Sequence, residues 1–511
     1  MEAGTQADPG LIAHIRNDGP TAIHGPRVTG CTPGRPFLFL VPATGTGPLE
    51  YAAENLPQGL EIDESTGIIS GSVENEGARV TILQVRGVEG AVRRGLQILA
   101  GTHQLARTPP MGWNSWNVWG PQVDHVKVRE AADAMVSNGL AAHGYQFINI
   151  DDTWEGTRCP NGASAGTIRS NERFPDMSAL ADHVHAMGLK LGIYSSPGPK
   201  TCAGFEGSMD HEAQDARRFA DWGIDYLKYD WCSFTNKAIK RYWLRYWPHF
   251  FNQGHVFIHF QMPVAEMKMP FVKMREALDA VDRDIVYSIV PMTLNRRWNP
   301  AAWGLETGAN AWRTTGDIVD KWHSVEHIGF PHTFLGKNVS PGRWNDPDML
   351  VVGVVGGAWN HNQAPTRLTP AEQITHITLW SMIAAPLLIG CDLTKLDSFT
   401  LDLLSNDDVI AVDQDPLGKA GRMVLKHGPV EIWTKPLWDC TTAVALFNRG
   451  ESSRDVSGSW QELAIDVGAP VRDLWRQADL GPDDERYSFT IESHGAILLK
   501  AGIPSTNEPF E

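Results

Sequence analysis

The chain has no apolar stretch long enough to cross a bilayer as a helix. Its longest apolar run, Ile377 to Ile389, is broken by Pro386, and a span needs about 20 consecutive apolar residues. Basic clusters are also missing. There are 44 Lys and Arg against 60 Asp and Glu, for a formal net charge of −16. That balance disfavours a nucleic-acid partner, because a phosphate-binding surface needs grouped cations. Cysteine is sparse, with Cys31, Cys159, Cys202, Cys232, Cys391 and Cys440 and no C-x-x-C pair. A zinc ribbon or a thioredoxin-like motif is therefore disfavoured. The opening MEAGTQADPG lacks the apolar core of a signal peptide. This leaves two expectations, a cytoplasmic protein or an exported one whose leader has been replaced by an initiator Met. No low-complexity tract or long internal repeat is visible.

Other features are abundant. The 511 residues are too many for one ordinary core and predict two to four domains. Tryptophan occurs 19 times, and its flat apolar face with one N–H donor suits large cores and also the C–H faces of sugar rings. The first hundred residues are rich in Gly, Pro and Thr. Short alternating runs such as PFLFLVPATG and ARVTILQVRG, with the turn DESTG between GLEI and IISG, predict a small β-sandwich over 1–104. From about residue 105 strand-like and helix-like runs alternate: YQFINIDD, GLKLGIYSS, IDYLKYDW, DIVYSIVP, DMLVVGVV and APLLIGCD. With MGWNSWN first and AWRTTGD sixth, eight strands are counted over 105–420. The expected fold class is α/β, a (β/α)8 TIM barrel. No Gly-rich phosphate loop follows the first strand, as a doubly wound nucleotide-binding sheet would require. After 420 the alternation gives way to strand-sized runs divided by turns, which predicts an antiparallel β-domain over 421–511.

In a parallel barrel, functional groups collect at the C-terminal ends of the strands. Here those ends carry Trp113 and Trp116, then Asp151 and Asp152, Tyr194, Lys228 and Asp230, Arg313 and Asp317, and finally Asp346 and Asp348 at the expected start of the seventh strand. A single strand-end carboxylate often caps the next helix; several such ends converging on one mouth call for another explanation. The pairs His183/His185 and His323/His327 fall in helical segments rather than at strand ends, which speaks against a metal centre. Glycoside hydrolysis needs two carboxyl groups across the scissile bond and polar groups for the sugar hydroxyls. Lys228 beside Asp230 is expected to keep that carboxylate ionised, as a nucleophile requires.

The motifs LARTPPMGWNSWN, INIDDTW, LKLGIYSSPGPKTCAGF, FADWGIDYLKYDWC, GRWNDPDMLVVG and VIAVDQDPLGKAG closely resemble those of the α-galactosidases of glycoside hydrolase family 27. The resemblance spans roughly 105–420. LPQGLEIDESTGIISGSV resembles the immunoglobulin-like modules attached to bacterial surface and secreted enzymes. The family resemblance implies a barrel without a metal or other cofactor, and hydrolysis of terminal α-D-galactosyl groups with retention through a glycosyl–Asp intermediate. It implies Asp230 as nucleophile and Asp317 as general acid/base. Trp116, Asp151, Asp152, Tyr194, Lys228, Arg313 and Asp348 match its sugar-contacting set. Cys202 and Cys232 match a family disulfide, which implies a secreted or periplasmic protein. A carbohydrate is the implied partner, with no nucleic acid and no membrane span.

Two departures from the family pattern stand out. HVFIHFQMPVAEMKMP, after Asp230, reads as an insertion that either roofs the site or lies at the periphery. The fifth strand offers Ile289 and Thr293 where relatives often carry a Glu and a large aromatic facing the sugar's C2. The expectation is weak discrimination at C2. α-N-Acetylgalactosaminidase and β-L-arabinopyranosidase activity stand as alternatives with the same mechanism, and a non-catalytic carbohydrate-binding protein as an alternative of another class. A further expectation concerns protons: the Asp317 pKa raised by its neighbour's charge, and the Asp230 pKa lowered by Lys228.

Overall fold

The computed structural model describes residues 11–162, 164–234, 264–291, 300–360, 362–482 and 485–505. The N-terminal part is two facing sheets. One has four strands in the order Val28–Cys31, Gly90–Ala100, Gly77–Gly87, Glu50–Glu54; the other has three in the order Pro36–Leu40, Ile68–Ser72, Leu60–Ile62. Alternation places Phe37 and Phe39 inward, against Ile69, Leu83, Leu96 and Ile98. The DESTG turn forms as expected. Asp63 Oδ1 accepts the Ser65 and Thr66 N–H groups, each at 2.9 Å, and Gly67 supplies the left-handed conformation (φ 74°) that closes it.

Eight parallel strands form the barrel: Met111–Asn114, Phe147–Asn149, Lys190–Ser195, Tyr226–Asp230, Val286–Val290, Ala311–Arg313, Trp344–Asp346 and Leu387–Ile389. The first seven pair in sequence order, and the eighth pairs with the first. Leu350 closes the ring by exchanging backbone bonds with the eighth strand: its N–H donates to Leu388 O (2.8 Å) and its carbonyl accepts from Gly390 N (3.0 Å).

The seventh strand corrects the sequence reading. It ends at Asp346 and does not begin at NDPDM. Pro347 has no N–H for a ladder, and Asp348 adopts φ 85°, so the continuous ladder with the sixth strand stops at Asp346, and of DMLVVGVV only Leu350 rejoins the sheet, through its bridge to the eighth strand. Met349–Val352 is buried but lies beyond the strand.

Side-chain alternation in the fourth strand sorts core from site. Leu227 and Tyr229 face outward into the layer between strands and helices, where Tyr229 meets Phe271 of helix Val264–Asp279 edge-on at 6.1 Å. Lys228 and Asp230 face the barrel axis. The same pairing decides Ile289. It is the register partner of Tyr229, whereas Ser288 and Val290 partner Lys228 and Asp230. Partners in a sheet share a face, so Ile289 belongs to the core and does not border the sugar, contrary to the sequence reading. Thr293 and residues 255–263 of the suspected insertion lie outside the described residues.

The C-terminal part is a six-stranded antiparallel sheet with a further strand pair, Arg454–Ser459 and Arg486–Ile491. Lys435 anchors it to the barrel. Its buried ammonium donates to Ser381 O (2.9 Å) and Val412 O (2.5 Å). The N-terminal part is anchored by Arg35 on Asp284 (3.2 Å) and by His24 on Asp407 (2.9 Å). Among the described residues no helix is long and apolar enough to cross a membrane.

Candidate active site

The strand ends bring the expected residues to one mouth. Asn114, ending the first strand, bridges two of them: its Oδ1 accepts from Trp116 N and its Nδ2 donates to Asp151 Oδ2, both at 2.9 Å. Lys228 donates to the same Asp151 oxygen at 2.7 Å, and Asp151 Oδ1 accepts the Asp152 N–H at 2.9 Å. Ser115 Oγ accepts the Asp151 N–H at 2.9 Å. The Asp151 carboxylate is thereby fully held, with both oxygens aimed. Asn114 and Ser115 were not singled out from sequence, although both lie within the quoted WNSWN motif.

Asp152 is buried. Its Oδ2 accepts from Ala203 N at 2.8 Å, while Oδ1 has no protein partner. Burial, only partly offset by that N–H, raises its pKa. Ala203 is positioned by its neighbour, because Cys202 and Cys232 form a disulfide (Cα–Cα 5.0 Å) that ties the loops after the third and fourth strands. Tyr194, buried on the third strand, donates its hydroxyl to Asp230 Oδ2 at 3.0 Å. The Lys228 ammonium lies 5.4 Å from the centre of the Tyr194 ring.

Across the mouth, Arg313 Nη2 reaches Asp317 Oδ1 at 3.1 Å and Asp348 Oδ2 at 2.9 Å. Asp348 also accepts the Ile318 N–H at 2.9 Å. It is held by its own N–H on Asp346 Oδ1 at 2.8 Å. Arg313 is only 3% exposed and Asp317 59%. Asp317 is therefore the one carboxylate of the set that faces open solvent, as a group meeting a departing fragment would.

The proton balance of the free site differs from the sequence expectation. Burial pushes Asp230 up to about 6, overriding Lys228, with the Asp317 charge adding to the rise. Asp348 is likewise pushed up to about 6 by burial against the pull of Arg313. At Asp317, burial acts upward, but Arg313 and Lys228 prevail and lower its pKa. The sequence shows which charges are neighbours. It does not show that burial prevails over Lys228 at Asp230 while Arg313 and Lys228 prevail over burial at Asp317. Lys228 itself stays cationic, because Asp151 and Asp230 outweigh the burial that opposes its charge.

Three non-glycine residues flank the site in left-handed backbone conformations: Thr153 (φ 89°), Ser233 (φ 54°) and Asp348 (φ 85°). Such strain persists only where the surroundings over-determine it. The histidine pair on helix Met177–Ala186 is accounted for elsewhere. His183 bonds Asp133 and His185 bonds Asp225, each at 2.7 Å.

Known proteins share this arrangement at the level of the whole chain. The family profile described as Alpha galactosidase A matches residues 108–258 and 258–415. An alpha galactosidase C-terminal beta sandwich profile matches 427–501, and an Ig-domain profile matches 20–94. The alpha-galactosidase of Cyamopsis tetragonoloba is 38% identical over 437 residues, covering 83% of this chain and 94% of its own. A solved structure from Bacteroides fragilis superposes with a TM-score of 0.83 at 33% identity, covering 96% of this chain and 99% of that one. Alpha-galactosidase I from Mortierella vinacea superposes with a TM-score of 0.67 at 30% identity, covering 80% and 100%. The chain belongs to the alpha-galactosidase family, glycoside hydrolase family 27.

Proposed function

We propose that the protein hydrolyses terminal α-D-galactosides with retention of configuration. Asp230 serves as nucleophile and Asp317 as acid/base. Trp116, Asp151, Asp152, Tyr194, Lys228, Arg313 and Asp348 hold the sugar. The observation that carries this reading is the contrast between two carboxyls at one mouth. Asp230 is half-buried and accepts the Tyr194 hydroxyl at 3.0 Å, and Asp317 is open to solvent against a buried guanidinium.

In the first step Asp230 Oδ attacks the anomeric carbon while the bond from that carbon to the glycosidic oxygen breaks. Asp317 delivers a proton to the departing oxygen. In the second step water attacks the glycosyl ester and gives its proton to Asp317, and Asp230 leaves as a carboxylate. Retaining enzymes hold the two carboxyls about 5–5.5 Å apart, close enough for direct attack. The reaction needs Asp230 ionised and Asp317 protonated, the reverse of the bias in the free site. The coupled carboxyls around Arg313 share protons among themselves. A sugar filling the mouth strips water from Asp317 and raises its pKa, and it separates Asp317 from Arg313. Substrate binding itself then moves the proton to where the first step uses it.

The division into 1–104, 105–420 and 421–511 belongs to this reading, with the catalytic unit in the middle. Export belongs to it as well, because the Cys202–Cys232 bridge persists only in an oxidising compartment. The test is turnover of nitrophenyl α-D-galactoside, followed by NMR of the first-formed sugar. The α-anomer is expected first. An initial β-anomer refutes double displacement, and sugar binding without turnover turns the reading to a carbohydrate-binding protein. Rates on α-N-acetylgalactosaminide and β-L-arabinopyranoside under one condition rank the sugars. Galactose is expected to lead.

A further inference from the structure

Immediately after the second strand the chain reads Asp151-Asp152-Thr153-Trp154-Glu155. Thr153 sits at φ 89°. A β-branched residue rarely adopts that conformation, and holding one there costs about 1–3 kcal/mol. The Thr153 peptide is gripped on both sides. Its N–H donates to Glu155 Oε2 at 3.0 Å. Its carbonyl accepts from Asn171 Nδ2 at 2.8 Å and from the Arg173 guanidinium. Arg173 is fixed in turn by the carbonyls of Pro121 and Val123, and Asn171 N–H by Trp154 O at 2.9 Å.

Glu155 is 1% exposed, and its second oxygen has no protein partner. Nothing in the sugar-contacting set explains a buried acid at this position. Its visible contact is to the peptide that follows Asp152.

We propose that Glu155 is a positioning residue. Through its bond to Thr153 N–H it holds the left-handed turn that aims Asp152 into the sugar pocket. The Asp152 carboxyl is otherwise held from the loop after the third strand, by the Ala203 N–H and the Thr201 side chain, while the backbone direction set at Thr153 aims the oxygen that has no protein partner. The Glu155 carboxyl need not be charged for this. Burial, together with the Asp152 and Asp151 charges, raises its pKa well above the ordinary range, and a neutral acid still accepts an N–H through its carbonyl oxygen. A glutamine offers the same acceptor.

The inference rests on the galactosidase reading, and its test separates the two. Wild type, Glu155→Gln, Glu155→Ala, Thr153→Gly and the double variant Thr153→Gly/Glu155→Ala are compared for kcat and KM on nitrophenyl α-D-galactoside, with Tm for each. Glu155→Gln is expected to stay near wild type. Glu155→Ala is expected to lose about tenfold or more in kcat/KM, since small misplacement of a binding group costs up to about a hundredfold. Glycine adopts positive φ freely, and the Thr153 hydroxyl it removes has no partner. With glycine at 153 the clamp is no longer needed, so Glu155→Ala is expected to cost less than threefold in that background.

A Glu155→Ala enzyme with wild-type kcat/KM overturns the proposal. So does an equal loss in both backgrounds, which marks a general structural role. If Glu155→Ala alone does not fold, the double variant must fold and turn over; its failure also overturns the proposal. A wild type inactive on the galactoside refutes the substrate reading instead.

Discussion

Replacing Asp230, the proposed nucleophile, by Asn should make the protein more stable at neutral pH while abolishing turnover. In the folded protein burial pushes the Asp230 pKa from its ordinary 3.8 up to about 6. A raised carboxyl pKa means that the folded state holds its proton more tightly than the unfolded state. The associated stability is fully present below about pH 3.8 and is lost as pH rises through 6. The gap corresponds to roughly 3 kcal/mol, at about 1.4 kcal/mol per tenfold change in affinity. Asparagine has nearly the same shape and cannot ionise. Its oxygen can still accept the Tyr194 hydroxyl that now bonds Asp230 Oδ2. At pH 7.5 Asp230→Asn should therefore gain up to about 3 kcal/mol. The barrel matched over residues 108–415 has an unfolding entropy of roughly 0.65 kcal/mol/K, from about 2 cal/mol/K per residue, so the gain appears as about 4–5 °C in Tm. Below pH 4 the advantage should shrink toward zero. The assay is thermal unfolding of both proteins at pH 4, 5.5 and 7.5. A variant no more stable than wild type at pH 7.5, or a difference that does not depend on pH, refutes the claim that desolvation of Asp230 dominates over Lys228.

Because the free site holds its proton on Asp230 rather than on Asp317, kcat/KM is expected to fall as pH rises through about 6, where that proton is lost and none remains for Asp317, and a pH–rate profile checks it. Lys228→Met should cost about 3–5 kcal/mol in denaturant unfolding, because it leaves the buried Asp151 without its 2.7 Å partner. It should also move that limb to higher pH by removing the cation that opposes the rise at Asp230. Asp317→Ala should lose far more on natural galactosides than on nitrophenyl substrates, whose leaving groups need little protonation; equal losses would show that Asp317 is not the acid. Opening the Cys202–Cys232 bridge, which closes a 30-residue separation, should cost about 2–4 kcal/mol. It should also raise KM by releasing the Ala203 N–H from Asp152, measured with and without reductant.

The order of strands and helices was legible in the residues because the local signals were strong. Buried parallel strands read as apolar runs, helices stop at glycines, and the DESTG turn carries its own hydrogen-bonding side chain. Which polar residues gather at the mouth was also legible, since a parallel barrel puts every strand end on one rim and a period of two puts Lys228 and Asp230 on one face. The end of the seventh strand was misread because apolar content continues through DMLVVGVV. Only the missing N–H of Pro347 and the turn at Asp348 stop the ladder. Ile289 was misplaced because its facing is set by its register partner Tyr229, on a strand distant in sequence. The proton balance lay furthest from the sequence. Charge neighbours can be guessed from a motif, but desolvation is a property of the packed interior. The difference between half-buried Asp230 and solvent-facing Asp317 exists only once eight strands have closed around one and left the other at the rim. The sequence by itself determined the barrel, its flanking β-domains and which polar residues lie at the strand ends. The tertiary structure alone decided which carboxyl is the more exposed, which backbone is strained and which side chain clamps it, because burial and long-range contact are made by residues that no local pattern links.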